Sequence, residues 1–202
     1  ELNNSSPTLT DVTFSDNSAD NGGGMYLSYG SSPTLTNVTF SSNSANDDGG
    51  NGGGIGVKSD SSPTLTDVTF SDNSADNGGG MYIYRASSTL ADVTFSDNLA
   101  EARGGGIYIF SESNVNLTNV TFSGNSANIT GGGGIYVSLE SNLILTDVIF
   151  TQNFSGHDGG GMYLYDSSPT LTNVTFSDNL AEVRGGGMKI YNSSPTLTDV
   201  TF

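Results

Sequence analysis

Carboxylates are the most frequent ionisable side chains of this 202-residue chain, and the spacing of many of them is regular. Asp11, Asp67, Asp92, Asp147 and Asp199 hold one recurring position, with Asn37, Asn119 and Asn173 at its equivalents. Asp16, Asp72, Asp97 and Asp178 hold a second. Two opposed carboxylates can act as acid and base on a glycosidic bond, and several oxygens together can hold Ca2+. A polysaccharide lyase or glycosidase needs such acids in one irregular groove beside a basic residue. Acids that belong to a repeat form a solvated face instead, diluted where Asn replaces Asp, because stacked like charges repel. The expectation is no catalytic residue and no dedicated metal site. Weak, nonspecific Ca2+ binding along the acidic columns is the one cofactor-like property expected, and the calcium nonapeptide GGxGxDxUx is absent. Arg103 and Arg184 precede glycine triplets in AEARGGG and AEVRGGG, which predicts local pairing with Glu101 and Glu182. His157 stands alone in a turn, and no Ser/His/Asp set, phosphate loop or zinc spacing accompanies it.

Binding chemistry has better candidates. Tyr26, Tyr82, Tyr108, Tyr136 and Tyr163 each lie between two apolar residues of a short alternating run, so they face away from the core. Tyr84, Phe110, Tyr165 and Tyr191 follow two residues later on the same face. An exposed aromatic strip of this kind can grip a sugar chain or a partner protein. Stacked rings also stabilise a sheet through neighbour contacts alone. A second array is the TxT unit of Thr8/Thr10, Thr34/Thr36, Thr64/Thr66, Thr170/Thr172 and Thr196/Thr198, interrupted by Ala91, Asn116 and Ile144. It resembles the ice-binding face of some β-helical antifreeze proteins, although threonine is also simply a good strand former. Sequons at Asn37, Asn119, Asn128 and Asn173 could carry glycan.

The elements that position these residues come from one repeated motif, SSPTLTDVTFSDNSADNGGGMYL. Phe14, Phe40, Phe70, Phe95, Phe122, Phe150, Phe176 and Phe202 recur at intervals of about 27 residues, a solenoid period. A leucine lies five residues before each and a valine two before. Three after come Asn17, Asn43, Asn73, Asn98, Asn125, Asn153 and Asn179, then a glycine triplet and an apolar–X–apolar unit. Period two within short runs is the strand signal. Leu9 and Val12 are an odd number of residues apart, so the chain must bend near Thr10–Asp11 to bury both. Further bends are expected between Phe14 and Asn17 and at Gly22–Gly24. Three short strands and three corners then make one coil, and about seven coils stack in a parallel β-helix, like residue on like. The asparagines are expected to form a structural ladder at a buried corner. The stretch from each phenylalanine to the next glycine varies, and is longest where Asn46–Asn51 is inserted.

Charge and composition exclude several classes. With 21 acidic residues against five Lys and Arg, the net charge is −16, which repels nucleic acid and anionic lipid. No apolar run approaches the roughly 20 residues that cross a bilayer, so no direct membrane insertion is expected. No cysteine is present, so no disulfide supports the fold.

FSDN at Phe14–Asn17 and its equivalents, each followed by GGGM or GGGI, resemble the FxxN and GG[AI] repeats of the chlamydial polymorphic outer-membrane proteins. The resemblance covers essentially the whole chain. It implies a right-handed parallel β-helix, secretion, and roles in adhesion or as an extended stalk. The chain differs from that family in lacking cysteine and a C-terminal membrane barrel. Both ends fall in mid-coil, so residues 1–202 are expected to form a single β-helix segment of a longer protein or fibre. Its partners would be other copies or flanking coils stacking end to end, a carbohydrate, or a host or neighbouring surface protein. The expected function is that of a non-enzymatic structural or adhesive protein, extracellular or on a bacterial cell surface. A carbohydrate- or ice-binding module is the alternative, and a scaffold for a polysaccharide-active enzyme whose site lies elsewhere is the third.

Overall fold

The computed structural model describes residues 1–45 and 49–202. The insertion read at Asn46–Asn51 therefore begins outside the described residues. All strands pair in parallel, and each pairs with its equivalent one repeat away. Three sheets result. The apolar–X–apolar units, from Met25–Ser28 to Met188–Tyr191 together with Leu2–Asn3, form an eight-stranded tyrosine sheet. The TLTDVTF units form a nine-stranded threonine sheet, from Thr8–Thr10 and Thr13–Ser15 to Thr196–Thr201. The short runs after each asparagine, from Ser18–Ala19 to Leu180–Ala181, form a seven-stranded third sheet. The chain is thus an all-β parallel solenoid of about eight turns.

The core is a set of columns. Phe14 pairs with Phe40, and so on to Phe202, with ring centroids 4.6–5.1 Å apart and planes within 8° of parallel. Leucine, valine and Met/Ile columns lie beside it, almost all fully buried. Burying one such side chain contributes about 1.5–3 kcal/mol. A single coil could enclose none of them, so stability comes from stacking.

Four direction changes close each coil, one more than the sequence predicts. The first lies inside a strand in every coil but the first, where it separates Thr8–Thr10 from Thr13–Ser15: Asp11, Asn37, Asp67, Asp92, Asn119, Asp147, Asn173 and Asp199 all take φ between 51° and 56°. The second uses Asp16, Ser42, Asp72, Asp97, Gly124, Gln152 and Asp178, again at positive φ. Asn and Asp tolerate this left-handed conformation better than other non-glycine residues. Both acidic columns therefore have a backbone reason to be where they are. At the glycine corner Gly52 has φ +73°, and a Cβ on Gly54 would come within 2.7 Å of the Phe70 ring. Glycine here admits both the turn and the close approach of the phenylalanine column.

The unpredicted corner follows the tyrosine strands. Its left-handed residues share no type: Tyr29, Asp60, Arg85, Glu112, Leu139, Asp166 and Asn192. A serine column closes it instead. Ser31, Ser113 and Ser141 each donate to a carbonyl three residues earlier, at 2.7–2.8 Å, and accept a backbone N–H from the coil before. The first serine of SSPT is therefore a buried structural residue.

Candidate functional site

The asparagine column shows how stacked polar side chains are satisfied. Asn43, Asn73, Asn98, Asn125 and Asn153 are fully buried. Each donates from Nδ2 to Oδ1 of the next asparagine, at 2.9–3.0 Å, and to the carbonyl of a phenylalanine one coil back. Asn17 and Asn179 complete the run at its two ends. Each Oδ1 also accepts the backbone N–H of the preceding asparagine. Every donor and acceptor is used, which removes the cost of burying an amide.

On the outer side of the tyrosine sheet one column runs Tyr26, Gly56, Tyr82, Tyr108, Tyr136, Tyr163, Lys189. Its neighbour runs Lys58, Tyr84, Phe110, Ser138, Tyr165, Tyr191. These rings do point away from the core, yet they are not a uniformly exposed strip. Tyr82, Tyr108 and Tyr136 are only 6–7% exposed, Tyr26, Tyr84, Phe110, Tyr163 and Tyr165 are half-buried, and Tyr191 is open. Rings at rung spacing cover each other. Tyr82 meets Tyr108 edge to face at 5.5 Å, Tyr108 meets Tyr136 at 5.3 Å, and Tyr136 meets Tyr163 at 4.8 Å. Such contacts place the positive ring edge on the negative face. Tyr84 stacks on Phe110, and Tyr165 on Tyr191. Burial pushes the Tyr82, Tyr108 and Tyr136 phenols above their ordinary pKa.

Cations interleave with the rings. The Tyr26 ring leans over Gly56, and Lys58 Nζ lies 5.6 Å from the Tyr26 ring centre and 5.3 Å from that of Tyr82. Burial holds the Lys58 amine below its ordinary pKa. The Arg85 guanidinium lies 5.3 Å from the Tyr84 ring, and that of Arg103 lies 6.0 Å from Tyr136.

The two repeat-matched arginines do not pair as the sequence predicts. Arg184 donates from Nε to Asp158 Oδ1 at 3.0 Å and closes a second contact at 3.0 Å. Arg103 donates to Asn77 Oδ1 at 3.4 Å, while Glu101 accepts from Asn128. The cause is geometric. Arg103 is the registered partner of Asn77, and Arg184 of Asp158, so the neighbour one coil away is nearer than the residue two along the strand. Sequence reasoning missed this column, which runs Asn21, Asn51, Asn77, Arg103, Gly131, Asp158, Arg184. His157, beside this column, does not stand alone: its Nδ1 lies 3.5 Å from the buried Asp158 carboxylate. This is the most irregular polar cluster among the described residues, and it is internally paired.

Both acidic columns are exposed to solvent, one at the bend within the threonine-sheet strands and one just past their ends. Asn37 Nδ2 donates to Asp11 Oδ1 at 2.6 Å, and Asn119 and Asn173 contact Asp92 and Asp147 in the same way. Among the described residues no three acids or histidines gather within ligating range of one point. The threonine columns pair in register, Thr8 with Thr34 and Thr10 with Thr36, and are broken in the central coils at Ala91, Asn116 and Ile144. An open groove of about 770 Å3 lies at the serine corner, lined by Glu112, Glu140, Asp166 and Asn192 among others.

Residues 1–156 and 48–202 match the family model described as right handed beta helix region, and together these matches span the chain. No curated protein matches it. The match agrees with the stacked parallel sheets and supplies their winding sense.

Proposed function

We propose, for a chain that belongs to the right-handed β-helix family, a non-enzymatic structural and adhesive role outside the cell or on a bacterial cell surface. It acts as a rigid solenoid whose outer faces are presented to a partner. The motif likeness to the chlamydial surface repeats points the same way. One observation carries the reading: among the described residues polar and aromatic side chains run mostly in columns along the axis, and no three acids or histidines converge on one point. Catalysis needs several groups within hydrogen-bond reach of one reacting atom. A column offers the same group again at each turn, which suits repeated shallow contact.

The test uses the whole chain and one deletion. Beads coated with the chain are expected to be retained under flow on immobilised matrix proteins or glycans. Deleting residues 151–176 joins Phe150 to Ser177 and removes one coil with His157 and Asp158, and the registered pairing of Phe150 with Phe176 preserves the repeat. That variant is expected to stay folded by circular dichroism and to be retained equally. Absence of retention on every surface would remove adhesion from the account. Cleavage of a polysaccharide by the whole chain, lost on the deletion, would replace the non-enzymatic reading with catalysis at that cluster.

A further inference from the structure

Acids outnumber bases 21 to five, so each cation has carboxylates to spare. Arg184 takes one. Lys58, Arg85 and Arg103 do not: among the described residues none of them has a carboxylate oxygen within 4.0 Å. Asp60 and Glu112 flank Arg85 in the corner but stay beyond that distance. All three cations sit instead against the rings of the tyrosine sheet, in three consecutive coils. Unpaired cations in so acidic a molecule are conspicuous.

We propose that this patch, marked out by Lys58, Arg85 and Arg103 and floored by Tyr82, Tyr84 and Tyr108, docks an acidic segment of a partner protein. The proposal rests on the adhesive reading above and names its partner class. Charge complementarity selects the occupant, since a guanidinium fork fits a carboxylate and tyrosine and arginine anchor protein–protein contacts. The rings favour a peptide over a sugar chain. Tyr82, Tyr108 and Tyr136 spend their faces on one another edge to face, so none lies bare beneath a sugar ring. The net charge of −16 repels an acidic partner at long range. At physiological salt charges beyond about 8 Å are screened, and the patch decides the contact. Three rungs by one strand cover only about 200 Å2. A standard interface takes about 800 Å2 per partner, so a single docking is weak and gains from repetition or tethering.

The test titrates the whole chain into a fluorescent oligoglutamate peptide at physiological salt, read by anisotropy. Oligoglutamine and oligogalacturonate serve as comparators, and sedimentation of the chain alone reports self-association. Oligoglutamate is expected to bind and oligoglutamine not. The triple variant Lys58→Gln, Arg85→Gln, Arg103→Gln is expected to weaken binding at least about tenfold. Arg85→Gln alone, at an exposed position that packing does not depend on, is expected to weaken it about threefold. Absent oligoglutamate binding, binding unchanged in both variants, tighter capture of oligogalacturonate, or self-association abolished by the triple variant would each overturn the proposal. Bead retention separates the two readings: a triple variant retained as well as the parent sinks the patch alone, whereas an unretained parent chain sinks adhesion itself.

Discussion

Two aromatic columns run the length of this solenoid at the same rung spacing, one inside and one outside, and they obey different rules. The inner position stacks nearly parallel and is phenylalanine in all eight coils. The outer tyrosines tilt edge to face and give way to Gly56, Ser138 and Lys189. Confinement explains the inner order. Leucine, valine and glycine columns surround the buried rings from Phe40 to Phe176, leaving one packed orientation. Outside, one side is open to water, so neighbouring rings can turn to meet edge on face. A position held by walls specifies the fold, whereas one held by its neighbours is free to vary and can acquire a binding role.

The sharpest way to break this contrast is to truncate one ring of each kind. Phe122→Ala is expected to cost about 3–5 kcal/mol in chemical denaturation, because the cavity lies between two stacked rings that cannot collapse. Tyr108→Ala is expected to cost about 1–2 kcal/mol, since water can enter where the ring was. Equal losses would mean that the outer column is as structural as the inner. Between them in size comes Asn125→Ala, at about 2–3 kcal/mol, since it strands the Asn98 amide and the Phe95 carbonyl in the interior. The smallest effect is a pH dependence. The Tyr82, Tyr108 and Tyr136 phenols are held above their ordinary value of about 10, chiefly by burial. A raised folded pKa contributes stability that is complete below the unfolded value and lost as pH rises through the folded one. Denaturation midpoints should therefore hold steady up to about pH 10 and fall above it, and Tyr108→Phe should flatten that fall. A midpoint independent of alkaline pH would show these rings to be wetter than their packing implies.

The interior was legible because it repeats by residue type: Phe, Leu, Val, Asn and Gly announce each coil, and parity between Leu9 and Val12 demands a bend. The serine corner was not. Its left-handed residues range from Arg85 to Leu139, so no type marks the turn, and its first serine looks like ordinary loop composition. The bends at the two acidic columns were legible from parity and spacing, and the Asp, Asn and Gly that dominate them are residues that bear positive φ well. The arginine partners were misplaced because spacing along the chain is a poor guide where the neighbour above is nearer. Sequence parity told which way Tyr108 points but not that its neighbours would cover it.

The asparagine chain has a direction. Between asparagines, each side-chain amide from Asn17 to Asn153 donates to the Oδ1 of its C-terminal neighbour and none to that of its N-terminal one, so each newly made turn supplies an acceptor that the finished turn below still lacks. The partners are only 25 to 30 residues apart in sequence. Ordering can therefore keep pace with synthesis, one turn settling onto the last, with no need for the distant parts of the chain to find each other.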